Sequence, residues 1–231
     1  KKTIKTTYII DKWENKYHNF HQKKLPKCGS CNRLICKNIT KGGYNISKNR
    51  NICNLCKPYA VKSKKLVYKF AKQVKKELRT IGFKNLPKNI PITLVNSRKK
   101  LKSLSKIKHV NLSGYTNYEY ETLNGKITNE KYHIYILSYL HEIEFKSVLA
   151  HEFLHVFLFQ NKYDLSPEYR EGFCNLGSQL IYKKDNSELA KHKLESMYNN
   201  PDPIYGIGFK KMNQLLKQNG WEDLLINLSK Y

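Results

Sequence analysis

Leu149-Ala150-His151-Glu152-Phe153-Leu154-His155-Val156-Phe157-Leu158 places two imidazoles and a carboxylate at metal-site spacing inside an otherwise apolar run. With Val148 before it, the stretch is apolar nearly all round a helical wheel and predicts a buried helix. Histidines four apart share a helical face, about 6 Å apart along the axis, so both rings can reach one ion. Glu152 projects one residue on, where a carboxylate can hold the ion's water rather than the ion. Two ligands plus a general base is the mechanical content of HExxH. Without an ion these are ordinary helix positions, and three fixed identities in five do recur by accident. Burial argues the other way, because a buried His-Glu-His set is costly unless paired or liganded.

A catalytic zinc takes three protein ligands and keeps a fourth position for water. After the helix, residues 161 to 167 are rich in breakers. Ser166-Pro167-Glu168 then reads as the start of a second helix, with Ser166 as N-cap and Pro167 at its first position. On that helix, Glu171-Gly172-Phe173-Cys174 sets small residues just after a carboxylate, as expected where the second helix comes close to the first. Glu171 is the chosen third ligand. Glu168 is the alternative, since both lie near one face, although it also suits a first-turn charge favoured by the helix dipole.

Cys28-Gly29-Ser30-Cys31 and Cys53-Asn54-Leu55-Cys56 form two CxxC pairs separated by 21 residues, the layout of a four-thiolate zinc knuckle. Between them, Tyr44-Asn45-Ile46 and Asn49-Arg50-Asn51-Ile52 predict a hairpin returning to the second pair. Disulfides or free thiols are the other readings of the four. Cys36 and Cys174 stand alone in apolar surroundings and read as core residues. A module this small has little core, so bound zinc would supply most of its folding free energy, on the order of 10 kcal/mol.

HEFLH followed by a Glu-Gly pair resembles the gluzincin metallopeptidases, in which a glutamate on the next helix completes the site. The resemblance continues through Asp202-Pro203-Ile204-Tyr205-Gly206-Ile207-Gly208-Phe209 and a leucine-rich closing helix. It implies that Tyr205 faces the metal and stabilises the oxyanion, with His192 as the weaker alternative. The order of parts, a knuckle pair like the one that ends a LIM domain, then a basic helix, then LAHEFLH and EGFC, resembles the LIM-domain-containing, ubiquitin-activated peptidases first known as plant regulators of organ size. That likeness covers residues 24 to 231. It implies a catalytic zinc on His151, His155 and Glu171, with Glu152 as the base, and a structural zinc on Cys28, Cys31, Cys53 and Cys56. Only the second half of a LIM double finger is present, and residues 1 to 27 are basic and polar rather than acidic ubiquitin-interacting helices. Ubiquitin is therefore left open as a partner.

The expected fold is α+β: a basic segment at residues 1 to 23, a small treble-clef or LIM-like knuckle at 24 to 60, and a metallopeptidase domain at 61 to 231. That domain is read as a small antiparallel sheet with a helical zinc-binding core. Residues 62 to 81 predict an amphipathic helix with Leu66, Phe70, Val74 and Leu78 on one side, flanked by Val67 and Ala71. Residues 90 to 95 predict a first strand, Asn124-Gly125 a hairpin turn, and 132 to 140 a strand leading into the zinc helix. In gluzincin-like peptidases that last strand lies along the cleft, where an extended peptide can pair with its edge. His133 and His141 read as structural, and Lys57-Pro58-Tyr59 as the domain boundary.

The chain has 231 residues, 40% of them hydrophobic, enough for a real core beside the knuckle. No stretch approaches the roughly 18 apolar residues of a membrane span, so no membrane partner is expected. Reduced zinc thiolates point to a cytoplasmic setting. The chain begins at Lys1 rather than Met, and an upstream segment is expected. Net charge of +25 invites a nucleic-acid partner through Lys62 to Lys65, Lys72 to Lys76, and Arg98 through Lys108, but a solvated face is the preferred account. The expected activity is zinc-dependent hydrolysis of peptide bonds in a protein or peptide substrate, with the knuckle free to bind a regulatory protein. The rivals are a Spartan-like protease of DNA-bound proteins, which would need a third histidine ligand and a zinc module after the catalytic domain, and a non-catalytic zinc adaptor for protein or nucleic acid.

Overall fold

A computed structural model of the chain describes residues 7–105 and 112–231. The first six residues of the basic N-terminal segment and residues 106–108 of the lysine run lie outside the described residues. The chain divides into two compact units, Lys1–Val61 with Tyr139–Glu142, and Lys62–Ser138 with Ile143–Tyr231.

In the smaller unit, β1 (Tyr8–Ile10) and β2 (Lys16–His18) pair antiparallel and run into α1 (Asn19–Lys24). Asp11 closes the hairpin, its Oδ1 accepting the N–H groups of Trp13 and Asn15 at 2.9 Å each. Trp13 ties this hairpin to the first cysteine pair: its indole donates to Cys31 O at 2.8 Å, and the Arg33 guanidinium lies 3.4 Å above its ring. The one-turn helix α2 (Lys37–Thr40) follows, capped by Cys36, whose Sγ accepts from Ile39 N–H. Next come β3 (Gly43–Ser47) and β4 (Arg50–Cys53), the hairpin predicted between the cysteine pairs. Asn49, at φ 65°, makes its turn in the left-handed conformation that asparagine tolerates. After Cys56 comes a single 3-10 turn, Lys57–Tyr59, and then β5 (Ala60–Val61).

The larger unit opens with α3 (Lys64–Arg79), capped by Ser63 and burying Val67, Phe70, Val74 and Leu78. Its apolar stripe thus begins at Val67, with Leu66 half-buried beside it. Then follow β6 (Ile92–Val95), α4 (Arg98–Ser105), β7 (Gly114–Leu123) and β8 (Lys126–Leu137). Asn124 and Gly125 turn β7 into β8 with φ of 50° and 73°, as a type I′ turn requires. The sheet order is β6-β8-β7, and its pairing is mixed. β7 and β8 are antiparallel as expected, but β6 runs parallel to β8. The intervening α4 and β7 supply the long crossover that a parallel pair needs; α4 was not foreseen in the polar stretch after residue 97. The short β9 (Leu140–His141) pairs with β5 inside the smaller unit.

The helical layer consists of α5 (Glu142–Gln160), α6 (Pro167–Lys184), α7 (Glu188–Tyr198), a π-helical turn at Pro203–Ile207 and α8 (Gly208–Ile226). α5 is buried on most of its circumference, as its composition predicts. α6 starts at Pro167 with Ser166 Oγ capping Tyr169 N–H. It packs antiparallel on α5, with Ser178 Oγ donating to Ser147 O at 3.1 Å and Gly177 against Ala150 O. Gln179 donates to Tyr198 OH and Asn213 Oδ1, joining α6 to α7 and α8. No helix of the described residues is long and apolar enough to cross a membrane.

The close approach expected of Gly172 proves to be with a different partner. A methyl there would run into Gly208 O, at the start of α8, whereas it is Gly177 that faces α5. Gly172→Ala should therefore destabilise the protein by about 2 kcal/mol, read as a lower urea midpoint with unchanged slope. An unchanged midpoint would mean that the crossing is looser than described.

Candidate metal centre

His151 Nε2 and His155 Nε2 stand 3.1 Å apart, and Glu171 Oε2 lies 3.2 Å from the first and 3.6 Å from the second. Three ligands about 2.05 Å from a tetrahedral ion would be about 3.3 Å from one another. The spacing and the two-nitrogen, one-oxygen donor set thus fit a zinc ion. One helix supplies the histidines and the next supplies the carboxylate, so the antiparallel packing of α5 on α6 assembles the group. Cys174, expected in the core, is fully buried, and its sulfur also lies within 4.8 Å of ligand atoms of both histidines. Burial, and then the charges of Glu171 and Glu152, push its thiol well up, so the carboxylate is the better third donor. Burial also pushes Glu171 up, but hydrogen bonds from His151 and His155 outweigh it and hold the carboxyl below the usual range.

Glu152 does not share that pairing. It is 4% exposed, and its Oε2 accepts from Thr116 Oγ1 at 2.7 Å. Burial raises its carboxyl above the ordinary value, more than the neighbouring histidines and Thr116 lower it. β7 passes directly over it: a methyl on Gly114 would collide with Glu152 Oε1 and stand 2.6 Å from Val148 Cγ1. Thr116 and Gly114 were not anticipated, because the pairing of a polar hairpin with a distant helix leaves no periodic signal.

Asn175 is a further addition. His151 Nδ1 and Asn175 Oδ1 are 3.0 Å apart, so a proton on Nδ1 leaves Nε2 free to face Glu171 and His155. The amide of Asn175 donates to Tyr205 O at 2.9 Å, and Asp202 Oδ1 accepts from Tyr205 N–H at 2.8 Å, so the tyrosine is pinned from both sides. Its place four residues after Glu171, on the same helical face, was the available signal. Tyr205 lines the cleft with His151, Glu152, His155 and Glu171. Burial first, then the charges of Glu171 and Glu152, push its phenol above the ordinary value, so it stays a donor.

Two alternatives fall away from this group. Glu168 turns to Lys211, 3.0 Å from its Nζ, and is not among the residues lining the cleft. His192 lies on α7 with its Nδ1 4.0 Å from Glu195 Oε2, and it too is absent from the lining. His133 meets Thr93 Oγ1 at 2.9 Å and stacks on Tyr135, while His141 stacks on Tyr59, local contacts in line with structural roles. The cleft measures about 370 Å³; its floor is α5 from Val148 to Phe159, and its walls are α6 and the stretch Leu112 to Thr116. The wall strand is therefore β7 and not β8, which is central and paired on both sides.

In the smaller unit Cys28, Cys31, Cys53 and Cys56 are buried, with their sulfurs within 4.8 Å of one another. Cys31 Sγ and Cys53 Sγ are 3.7 Å apart, against about 3.8 Å for thiolates 2.3 Å from a tetrahedral zinc. Hydrogen bonds from Cys31, Cys53 and Cys56 hold the Cys28 thiol far below its ordinary value. The set is compatible with zinc.

The raised Glu152 carboxyl has a consequence for the metal-free protein. A carboxyl whose proton affinity is higher folded than unfolded contributes stability below its unfolded value, and that stability is lost as pH rises through the folded value. Metal-free Glu152→Gln, whose amide oxygen can still accept from Thr116, should therefore be more stable than the metal-free parent at pH 8. The gain should shrink towards pH 5, and urea unfolding in chelator at the two pH values measures it.

Among known proteins, the chain is similar to Protein DA1-related 7 of Arabidopsis thaliana, at 23% identity over 280 aligned residues, covering 92% of this chain and 48% of the relative. The chain spans about half the length of that curated relative. No family model matches the chain, and no solved structure matches it.

Proposed function

We propose that the chain is a zinc-dependent peptidase of gluzincin type, carrying two zinc ions, one catalytic and one structural. His151, His155 and Glu171 would hold the first, and Cys28, Cys31, Cys53 and Cys56 the second. The observation that supports this most is the pair of helices presenting two imidazoles and a carboxylate at ligand spacing, with a second, differently paired carboxylate beside them. Similarity to a DA1-related protein is in line with the sequence resemblance to the plant LIM-domain peptidases. A zinc ion there would supply Lewis acidity and lower the pKa of its water to about 7. Glu152, held by Thr116, accepts the proton from the attacking water and passes it to the leaving amine. Tyr205 donates its hydroxyl to the oxyanion. Asn175 holds His151 in the tautomer that leaves Nε2 free.

The substrate is a protein or peptide, and an extended segment would pair with the free edge of β7. A Spartan-like reading would need a third histidine, where α6 offers Glu171. Six cysteines without a disulfide suit a cytoplasmic setting, and the knuckle is the place for a regulatory protein to bind.

Zinc analysis of the purified parent should give two ions per chain, falling to one in His155→Ala. Glu152→Gln should keep both ions yet cleave unfolded casein slower by a factor on the order of 10³; cleavage at the parent rate would remove Glu152 from its role. Tyr205→Phe should lower kcat by about 10² with little change in KM. A loss confined to KM would make Tyr205 a binding residue instead.

A further inference from the structure

Resting on the hydrolase reading and narrowing its substrate, the geometry points to Arg170 as the residue that reads a substrate carboxylate at one end of the cleft. α5 and α6 are antiparallel, so Phe159 and Arg170, near the loop that joins the helices, border the same end, while Val148 and Ser178 border the other. Among the described residues lining the cleft, Arg170 is the sole lysine or arginine. Its Nη2 donates to Leu165 O at 2.9 Å, and the buried Leu165 side chain anchors that carbonyl, so one corner of the guanidinium is tethered. The nearby carboxylate of Asp164 stands 3.7 Å away and is fully exposed, which leaves that pair weak and screened.

The carboxylates within the cleft are already engaged, Glu171 with the two imidazoles and Glu152 with Thr116. A guanidinium has five donors in a planar fork, and those not given to Leu165 suit a carboxylate ligand. Phe159, at the same end of the lining, stacks on Tyr118 with ring centroids 4.9 Å apart and planes 10° from parallel, and gives that end an apolar wall. The anionic groups native to a peptide substrate are carboxylates, whose two oxygens match the parallel N–H groups of the fork. Two sources present the same chemistry: an Asp or Glu side chain near the scissile bond, or the C-terminal carboxylate of the substrate. Because the fork is tethered at one corner before the ligand arrives, less ordering remains for binding to offset.

The test measures binding to the zinc-loaded full chain carrying Glu152→Gln, so that turnover does not interfere. The probes are short synthetic peptides of randomised sequence in matched sets, Asp and Glu against Asn and Gln, and free against amidated C termini. One acid set is expected to bind about tenfold more tightly than its uncharged partner, and which set does so identifies the source of the carboxylate. Adding Arg170→Gln should bring that ratio to about one, while Arg170→Lys should keep part of it, with zinc content confirming that each variant is folded. Equal binding of acids and amides, or a preference that survives Arg170→Gln, overturns the assignment. Casein turnover by the parent bears separately on the hydrolase reading, so the two ideas fail by different measurements.

Discussion

Two helices can bring a histidine pair and a carboxylate within 4 Å of one another only if their backbones come close where they cross. At the crossing of α5 and α6 that condition is met by Gly177, where a methyl would stand 3.0 Å from Ala150 O. Ser178 adds a hydrogen bond to Ser147 O one position further on. From there towards the connecting loop, Asn175 meets His151, and Glu171 meets both histidines. The same helix is held from behind by a second close contact, Gly172 on Gly208 O, and by the Gln179 bridge to Tyr198 and Asn213. A side chain at Gly172 would force the start of α8 and α6 apart, and one at Gly177 would press α6 off α5 by a few tenths of an ångström, so both bear on where Glu171 and Asn175 sit.

The smaller unit solves a different problem. Its hairpins are short, and Tyr8, Ile10, Phe20 and Tyr44 remain exposed, so apolar burial alone offers it little. What it does bury centres on the four cysteines with Leu34, Ile35 and Ile52, and Trp13 reaches Cys31 O. Four sulfurs crowded within 4.8 Å repel once ionised and share protons awkwardly when they are not. A divalent cation removes both difficulties, which is why metal and folding are coupled in units of this size.

Elements whose cause is local were legible in the chain. Ser166 caps the helix it was expected to start, Asn124-Gly125 closes its hairpin, and the apolar run around His151 forms a buried helix. Features whose cause is tertiary were not. The parallel placement of β6, the role of β7 as the cleft wall, and the fit of Gly114 over Glu152 depend on which distant segments pair, and nothing within a window of ten residues records that. The two glycines of α6 show the boundary well: a close approach at Gly172 was readable but not the neighbour it faces, and the part played by Gly177 emerges only from the three-dimensional packing.

Glu152 and Glu171 separate on physical grounds that owe nothing to a motif. Both carboxyls are buried within one cleft, and burial raises the proton affinity of each. Glu171 faces two imidazoles, which reverse the effect and keep it ionised across the ordinary pH range. Glu152 has a threonine hydroxyl as its hydrogen-bond partner, and a neutral donor compensates a buried charge far less than two imidazoles do. Adjacent acids driven apart in this way are suited to different work, and the proposed mechanism assigns cation binding to the charged one and proton exchange to the raised one. A cation on the first would lower the cost of ionising the second, which would tie the proton exchange proposed for Glu152 to metal binding.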